Sequence, residues 1–474
     1  MILSDLPTDI LLEIVKVLPL PDPLALLITC RSLNALSNEV SFWMSVLETT
    51  RRRSPIACPP HTDLSQFTLP RLKDLALSWL KLQHNWDQRF PRIVQPATSA
   101  RLPRSEPTLI ILAVQGTDIL VLATGGSLFC WDAKLGAPFP FPALDTGGQI
   151  SQIAGSDMPG VCYLAIIARI FNGAFAALDR RRYIITIKHE GGKVTSMTSE
   201  SSQVSTPQLN FESLFVAEDM VGTIGTMEYS QECLLVVDGV GDEGRRFPNS
   251  NSILKLHRSV PHHAFLVCIA YQGHLYIILE DASSVQIQHI PRKGLRAGRQ
   301  DSGYLFHSQI SSIYSNFEEL CYMVPSTPFY GVTAAFVRLH WNYGNETALV
   351  TSFTFLLNTF TDAYDNGSGA VSPLEFDPDC VSEYVPGQLV DISLVWQDHS
   401  GFNVTAVIQP NDPLEPPRLV LVRYHPETKS TSVHDLTVPD TIDVKKLESV
   451  CIDDTSGAVH LVDTEARLST LRYV

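Results

Sequence analysis

Residues Leu6–Trp43 read LPTDILLEIVKVLPLPDPLALLITCRSLNALSNEVSFW. They carry more large aliphatic side chains than a helical unit of about 40 residues can bury by itself. Pro7 suits a first helical position and Asp9 the first turn, so a helix is expected to start there and to be stopped by Pro19. Asp22 followed by Pro23 is a second start signal, a cap plus a preorganised first residue. In the first helix Ile10, Ile14 and Leu18 form one i, i+4 row. Leu11, Leu12, Val15 and Val17 widen the apolar surface well beyond a stripe of about 100 degrees. One face can meet the neighbouring helices and the other needs cover. A solvent-facing row of large aliphatics on so small a unit is an interface for a partner protein.

The order Leu6-Pro7, Ile10, Glu13-Ile14, Leu18, Asp22, Leu24, Leu26, Cys30-Arg31, Leu36 and Trp43 resembles the F-box, the helical module by which substrate receptors dock onto the Skp-type adaptor of SCF ubiquitin ligases. A generic helical cap has no reason to combine Leu-Pro, Asp-Pro, Cys-Arg and a terminal Trp at these spacings. The resemblance covers about a tenth of the chain. It implies that Leu6, Pro7, Ile10, Ile14, Leu18, Leu24 and Trp43 contribute to adaptor binding or to the small core behind it, without saying which face outward.

Outward from this segment, the 474 residues exceed one ordinary core and call for two or three folding units. With 45% hydrophobic and 18% charged residues the chain is globular. No run reaches the roughly 18 apolar residues of a membrane helix, and Asp5, Pro7 and Asp9 replace the basic start of a signal peptide. A cytoplasmic or nuclear chain without membrane contact is expected. Nine cysteines without a Cys-x-x-Cys pair read as buried free thiols, not as a disulfide framework or zinc site.

Charge is unevenly placed. Residues 1–110 hold 12 basic and 10 acidic side chains, leaving 23 and 40 for residues 111–474 out of totals of 35 and 50, so the net charge of −15 divides as +2 and −17. An acidic body repels phosphate backbones, which disfavours nucleic acid and favours a basic protein partner.

Asn38 to Arg53 and Leu69 to Leu82 read as further helices, with Trp86 anchoring the end of the helical region. The stretch from Pro91 to Thr108 has four prolines and few large apolars, which marks a boundary. Beyond it, short β-branched and aromatic runs alternate with turn residues. Their clusters start near 109, 161, 214, 265, 320, 389 and 447, a period of about 50 to 70 residues that suits four-stranded blades. The fold expected is α plus all-β: a small helical F-box followed by an irregular seven-bladed β-propeller, with a β-sandwich pair as the alternative. Gly125 to Asp132 resembles the third strand of a WD-type blade, and Gly273-His274 the other signature dipeptide, but neither recurs in register. Ring closure, by pairing the first strand of the domain with the last blade, would use the run at 109 and the final ARLSTLRYV. The division expected is 1–53 F-box module, 54–90 helical linker region, 91–108 Pro-rich linker and 109–474 interaction domain.

Chemical motifs are weak. Gly239-Val-Gly241-Asp-Glu-Gly244 matches a dinucleotide fingerprint, yet Arg245-Arg246-Phe-Pro248 cannot open the required helix. His262-His263 point to opposite faces of an extended segment, and His189-Glu190 lacks a second histidine. Asp453-Asp454 precedes a turn, Asp362 to Gly369 lacks calcium-loop spacing, and no nucleophile elbow occurs. No catalytic residue, metal or cofactor is expected. The function expected is a substrate receptor that docks on a Skp-type adaptor and, through it, a cullin, and that recruits a protein target through the β domain. The alternatives are a non-degradative interaction scaffold or a propeller enzyme.

Overall fold

The computed structural model describes residues 6–59, 62–103, 108–203 apart from 159 and 172–177, the strands between 209 and 393, and 403–474 apart from 411, 413, 426 and 429. Five helices come first: α1 Thr8–Val15, α2 Pro21–Thr29, α3 Arg31–Asn34, α4 Val40–Arg53 and α5 Leu69–Trp86. Pro7 sits just before α1 with an extended backbone rather than inside the first turn, and α1 ends four residues before Pro19. Leu11 and Val15, one turn apart, face inward from α1, as Pro23 and Leu27 do from α2. Leu11, Val15 and Leu27 join Leu33, Leu36, Phe42, Trp43, Val46 and Leu47 in one core.

That core runs past the expected 53/54 boundary. Ile56, Cys58, Leu64, Leu72, Leu75 and Ala76 belong to it, so α5 covers part of the apolar excess that the first 43 residues carry. The other end of α5 enters a second core: Leu82 and Trp86 pack among Val407, Leu419, Leu421, Val450, Leu461, Leu471 and Tyr473 of the β domain. One helix therefore has each end buried in a different hydrophobic core.

The β domain is a succession of antiparallel meanders. Among the described residues there are six four-stranded sheets and one five-stranded sheet, with two two-stranded ribbons. Their opening strands are Thr108–Ala113, Gln149–Met158, Leu209–Ala217, Phe265–Tyr271, Phe317–Met323, Gln388–Ser393 and Leu447–Asp453. Six of the seven clusters read from the sequence begin on these strands; the cluster placed at 161 is the second strand of its sheet, Val161–Phe171. The longer spacing after Phe329 corresponds to the two ribbons, Ser326–Thr327 with Gly331–Val332 and Phe355–Leu356 with Glu375–Phe376.

Strand Ile119–Thr124 shows why the runs are continuously apolar rather than alternating: every residue in it is buried, because both faces of its sheet are covered. Ile119, Val121 and Ala123 pack against Ile153, Leu164 and Ile166 of the following sheet. Leu120 and Leu122 pack against Cys451, Val462 and Leu468 of the last sheet. The first sheet thus lies between the second and the last, which is the β-propeller plan of sheets packed face to face around a ring.

The ring is closed by a strand from the stretch expected to be linker. Gln95–Arg101 pairs antiparallel with Arg467–Arg472 as the outer strand of the last sheet. The final run ARLSTLRYV supplies its side of the closure as expected, but the run at 109 is the opening strand of the first sheet instead. The closing strand, QPATSAR, is exposed along nearly its whole length. Pro96 is accommodated at a register shift between Gln95 and Thr98, the edge position at which a missing N–H is tolerated.

Candidate functional site

The outward side of the helical unit is apolar. Ile10 is 44% exposed, Val17 67% and Ile28 83%, and Pro7 is exposed beside them in sequence. Leu6, Ile14, Leu18 and Leu24 are half-buried. Ile10 and Ile14 stand one turn apart on α1, on a stripe offset from buried Leu11 and Val15. Leu24 and Ile28 repeat that spacing on α2, offset from Pro23 and Leu27. Glu13 and Lys16 flank the stripe of α1 as an exposed ion pair at 2.5 Å.

Of the residues expected at the adaptor surface, Trp43 alone is turned fully inward, at 4% exposure. Its indole N–H donates to the Ser37 carbonyl at 2.8 Å, and its ring meets Phe42 edge-on with centroids 5.4 Å apart. A tryptophan at the end of an amphipathic pattern is a large apolar body with one donor. Here the turn before α4 satisfies the donor, so the ring serves the core. Ile28 lies on the same exposed side, in a row that is only visible once Leu27 is known to be the inward residue.

Behind this surface the helical unit meets the β domain at one rim. Successive strands run in opposite directions, so the turns joining first to second and third to fourth strands of each sheet share a rim. Among the described residues, three such turns touch the helical unit. At Gly116, φ is +67° and a Cβ would lie 2.2 Å from the Cys58 backbone carbon; at Gly457, φ is +65° and a Cβ would lie 2.5 Å from Leu82 Cδ1. Only glycine fits such approaches in that conformation. At the third turn, Glu427 pairs with Arg53 at 3.0 Å.

Polar groups fill the junction. Asn85 donates to the carbonyls of Arg92 and Tyr473, both at 2.7 Å, and accepts from the Arg92 N–H at 2.9 Å. The buried Arg423 guanidinium hydrogen-bonds Asp87, Gln83 and Asn403 and lies over the Trp86 ring, 5.8 Å from its centroid. Burial lowers the Arg423 pKa, and Asp87 and Asp454 oppose that shift.

Asp453 is buried and accepts from Thr455 and Ser456 within its own turn. His189 is buried near the end of its strand, where desolvation lowers its pKa. Among the described cysteines Cys58, Cys130, Cys162 and Cys451 are buried, and burial pushes the Cys58 thiol up to about 11 and the Cys130 thiol up to about 12. Cys30 differs: it is exposed, and a hydrogen bond with Ser32 lowers its thiol pKa. Trp131 and Asp132 end the third strand of the first sheet, the position their WD-like sequence suggests. Gly241 to Gly244, His262-His263 and Asp362 to Gly369 lie outside the described residues. Among the described residues no group of three or more His, Cys, Asp or Glu is placed to hold a metal ion, and no helix is long and apolar enough to cross a membrane.

Residues 3–49 match the F-box-like family model. The N-terminal helical unit is an F-box-like domain, a class that generally binds Skp-type adaptors, joined here to a propeller-like β domain. An F-box-like domain suggests an adaptor or substrate-receptor role. A comparison with curated protein sequences found no match. Among solved structures, a chain of the mitotic checkpoint complex aligns over 81% of this chain and 93% of its own at 11% identity, with a TM-score of 0.41. Drosophila Semaphorin 2a aligns over 82% and 77% at 10% identity, TM-score 0.47. The WD40 domain of SCAP from fission yeast aligns over 77% and 84% at 12% identity, TM-score 0.38. The fold described above rests on the strand pairings themselves.

Proposed function

We propose that the chain is the substrate-receptor subunit of an SCF-type ubiquitin ligase. The observation that carries this reading is the apolar side of α1 and α2, with Ile10, Val17 and Ile28 exposed on a unit whose own core is already complete. Pro7, Ile10, Ile14, Leu18, Leu24 and Leu6 would meet the Skp-type adaptor, Ile28 would join them, and Trp43 would hold the core beneath. The cullin is reached through the adaptor. Ubiquitin transfer belongs to the associated ligase components, and the receptor acts by raising the target's effective concentration near them.

The target side is assigned to the rim away from the helices. There lie the turns between the second and third strands of the sheets. They include 410–417, where Leu414 is 91% exposed, and 464–466 beside Lys446, whose carbonyl accepts from Thr464 N–H at 2.9 Å. A rim facing away from the adaptor leaves room for a bound protein. The net −17 of residues 111–474 favours a basic surface on it.

Co-purification of the full chain with a Skp-type adaptor and cullin tests the reading. Capture by the wild type, lost in an Ile10→Asp and Ile28→Asp double variant that unfolds at the same denaturant midpoint, supports it. Absence of capture by the folded wild type overturns it. Target abundance that stays normal after adaptor depletion would assign the adaptor contact to a non-degradative assembly.

A further inference from the structure

The last two strands of the sixth sheet set a hydroxyl between two imidazoles. Arg418–His425 and Ser430–Asp435 pair antiparallel, with Arg423 opposite Ser432 and Leu421 opposite His434. Alternate residues of a strand share a face, so Arg423, His425, Ser432 and His434 stand on one side of the sheet. His425 Nε2 lies 2.9 Å from Ser432 Oγ, Ser432 Oγ lies 2.7 Å from His434 Nε2, and His434 Nδ1 lies 2.8 Å from the Gln88 carbonyl oxygen. A carbonyl only accepts, so Nδ1 of His434 carries the hydrogen. The Nε2 of the neutral ring is then a bare acceptor for the Ser432 hydroxyl proton. With that proton engaged, Ser432 Oγ accepts from Nε2–H of His425.

These are the parts of an activated nucleophile: a hydroxyl within hydrogen-bond reach of a base, and a base held in one tautomer by a third group. The Gln88 carbonyl takes the place that a carboxylate has in a catalytic triad, fixing the ring and stabilising the imidazolium that forms. Exposure separates this cluster from an internal hydrogen bond. Ser432 and His425 are half-buried, with His434 buried behind them. His460 Nδ1 and Thr470 Oγ1 also lie 3.0 Å apart, but both residues are fully buried. A substrate can reach Ser432 and not Thr470.

We propose that Ser432 is a nucleophile with His434 as its general base, and that the site takes carboxylic esters of small acyl groups. In acylation Ser432 Oγ bonds to the ester carbonyl carbon while its proton passes to His434 Nε2. Nε2–H of His425, beside the attacking oxygen, and the Arg423 cation on the facing strand favour the negative charge that develops on the carbonyl oxygen. The bond from carbon to the alkoxy oxygen then breaks, and His434 gives its proton to that oxygen, releasing the alcohol. Water next attacks the acyl carbon as His434 takes one of its protons. The bond to Ser432 Oγ breaks, the proton returns to Oγ, and the carboxylic acid departs. A neutral carbonyl stabilises the imidazolium less than a carboxylate does, which suits the alkoxide of an ester rather than the amine of an amide. The half-buried setting limits the acyl group to a small one.

The full chain treated with a fluorophosphonate, which bonds its phosphorus to an activated serine oxygen and loses fluoride, tests the assignment. Peptide mass spectrometry should find the label on Ser432 and none on Thr470. The chain should also hydrolyse p-nitrophenyl acetate faster than buffer, and Ser432→Ala should abolish both reactions. His434→Gln should slow labelling by about 10²–10⁴-fold, the usual contribution of a general base. Absence of label on Ser432 of the folded wild type overturns the proposal. So does ester hydrolysis undiminished in Ser432→Ala, or labelling undiminished in His434→Gln. Labelling of the wild type needs no variant, so the test stands even where a variant does not fold. Adaptor capture is not among its readouts, so its failure and the failure of the receptor reading are separate results.

Discussion

The helical unit and the β domain use apolar residues in opposite ways. In the first sheet, Ile119, Val121 and Ala123 go to one neighbouring sheet and Leu120 and Leu122 to the other, so a run of aliphatics is consumed by internal packing. In α1 and α2 the same residue types split between a buried row, Leu11, Val15 and Leu27, and an exposed one, Ile10 and Ile28. Burial on the scale of a side chain gives about 1.5–3 kcal/mol; a row that forgoes it on a small unit marks a surface kept for something else. Function is therefore readable where the burial rule is broken, and the β domain, which obeys it, discloses architecture but not its target.

The junction is where the contrast can be broken most severely. Trp86 belongs to α5, yet it sits in the β-domain core with no exposure. Trp86→Ala should cost about 3–5 kcal/mol, and the loss should appear in the β domain, read as a lower urea midpoint by far-ultraviolet circular dichroism at strand wavelengths. If only the helical signal melts earlier, the two units are less closely joined than Asn85, Trp86 and Arg423 imply. A smaller effect is expected at Gly116. An alanine there needs a positive φ and places Cβ 2.2 Å from the Cys58 backbone, so about 1–3 kcal/mol of strain falls on the contact itself. Urea unfolding should show that loss, and limited proteolysis should cut first near residues 54–59. Unchanged stability in Gly116→Ala would mean the turn moves freely away from the helical unit.

Much of the architecture was legible because its signals are local. The spacing of aliphatic clusters gave six of seven sheet starts, since strands covered on both faces leave uninterrupted runs between turn residues. The closing strand Gln95–Arg101 was not legible: exposed on both sides, with Pro96, Thr98 and Ser99 in it, it has neither run nor alternation, and its extended state is imposed by Arg467–Arg472. Arg423 was invisible for a different reason. Its partners Asp87 and Gln83 are 336 and 340 residues away in sequence, and no pattern within one segment records a contact made by ring closure. On the helical surface, periodicity located the apolar stripes of α1 but could not assign Trp43 to the core, because that depends on a carbonyl offered by the Ser37 turn.

The finest test of the comparison uses two adjacent residues of α2. Leu27 lies in the core and Ile28 is almost wholly in solvent, although the two are aliphatics of equal size. Leu27→Ala removes contacts with a packed core and should cost about 2–5 kcal/mol. Ile28→Ser removes a side chain that touches little and should stay within about 0.5 kcal/mol, with the denaturant midpoint as the measure. Equal losses would show that Ile28 is covered by some other part of this chain, and the exposed row would then need no partner. A neutral Ile28→Ser that also weakens adaptor capture would put the row's cost where its purpose is, in a contact made only outside the molecule.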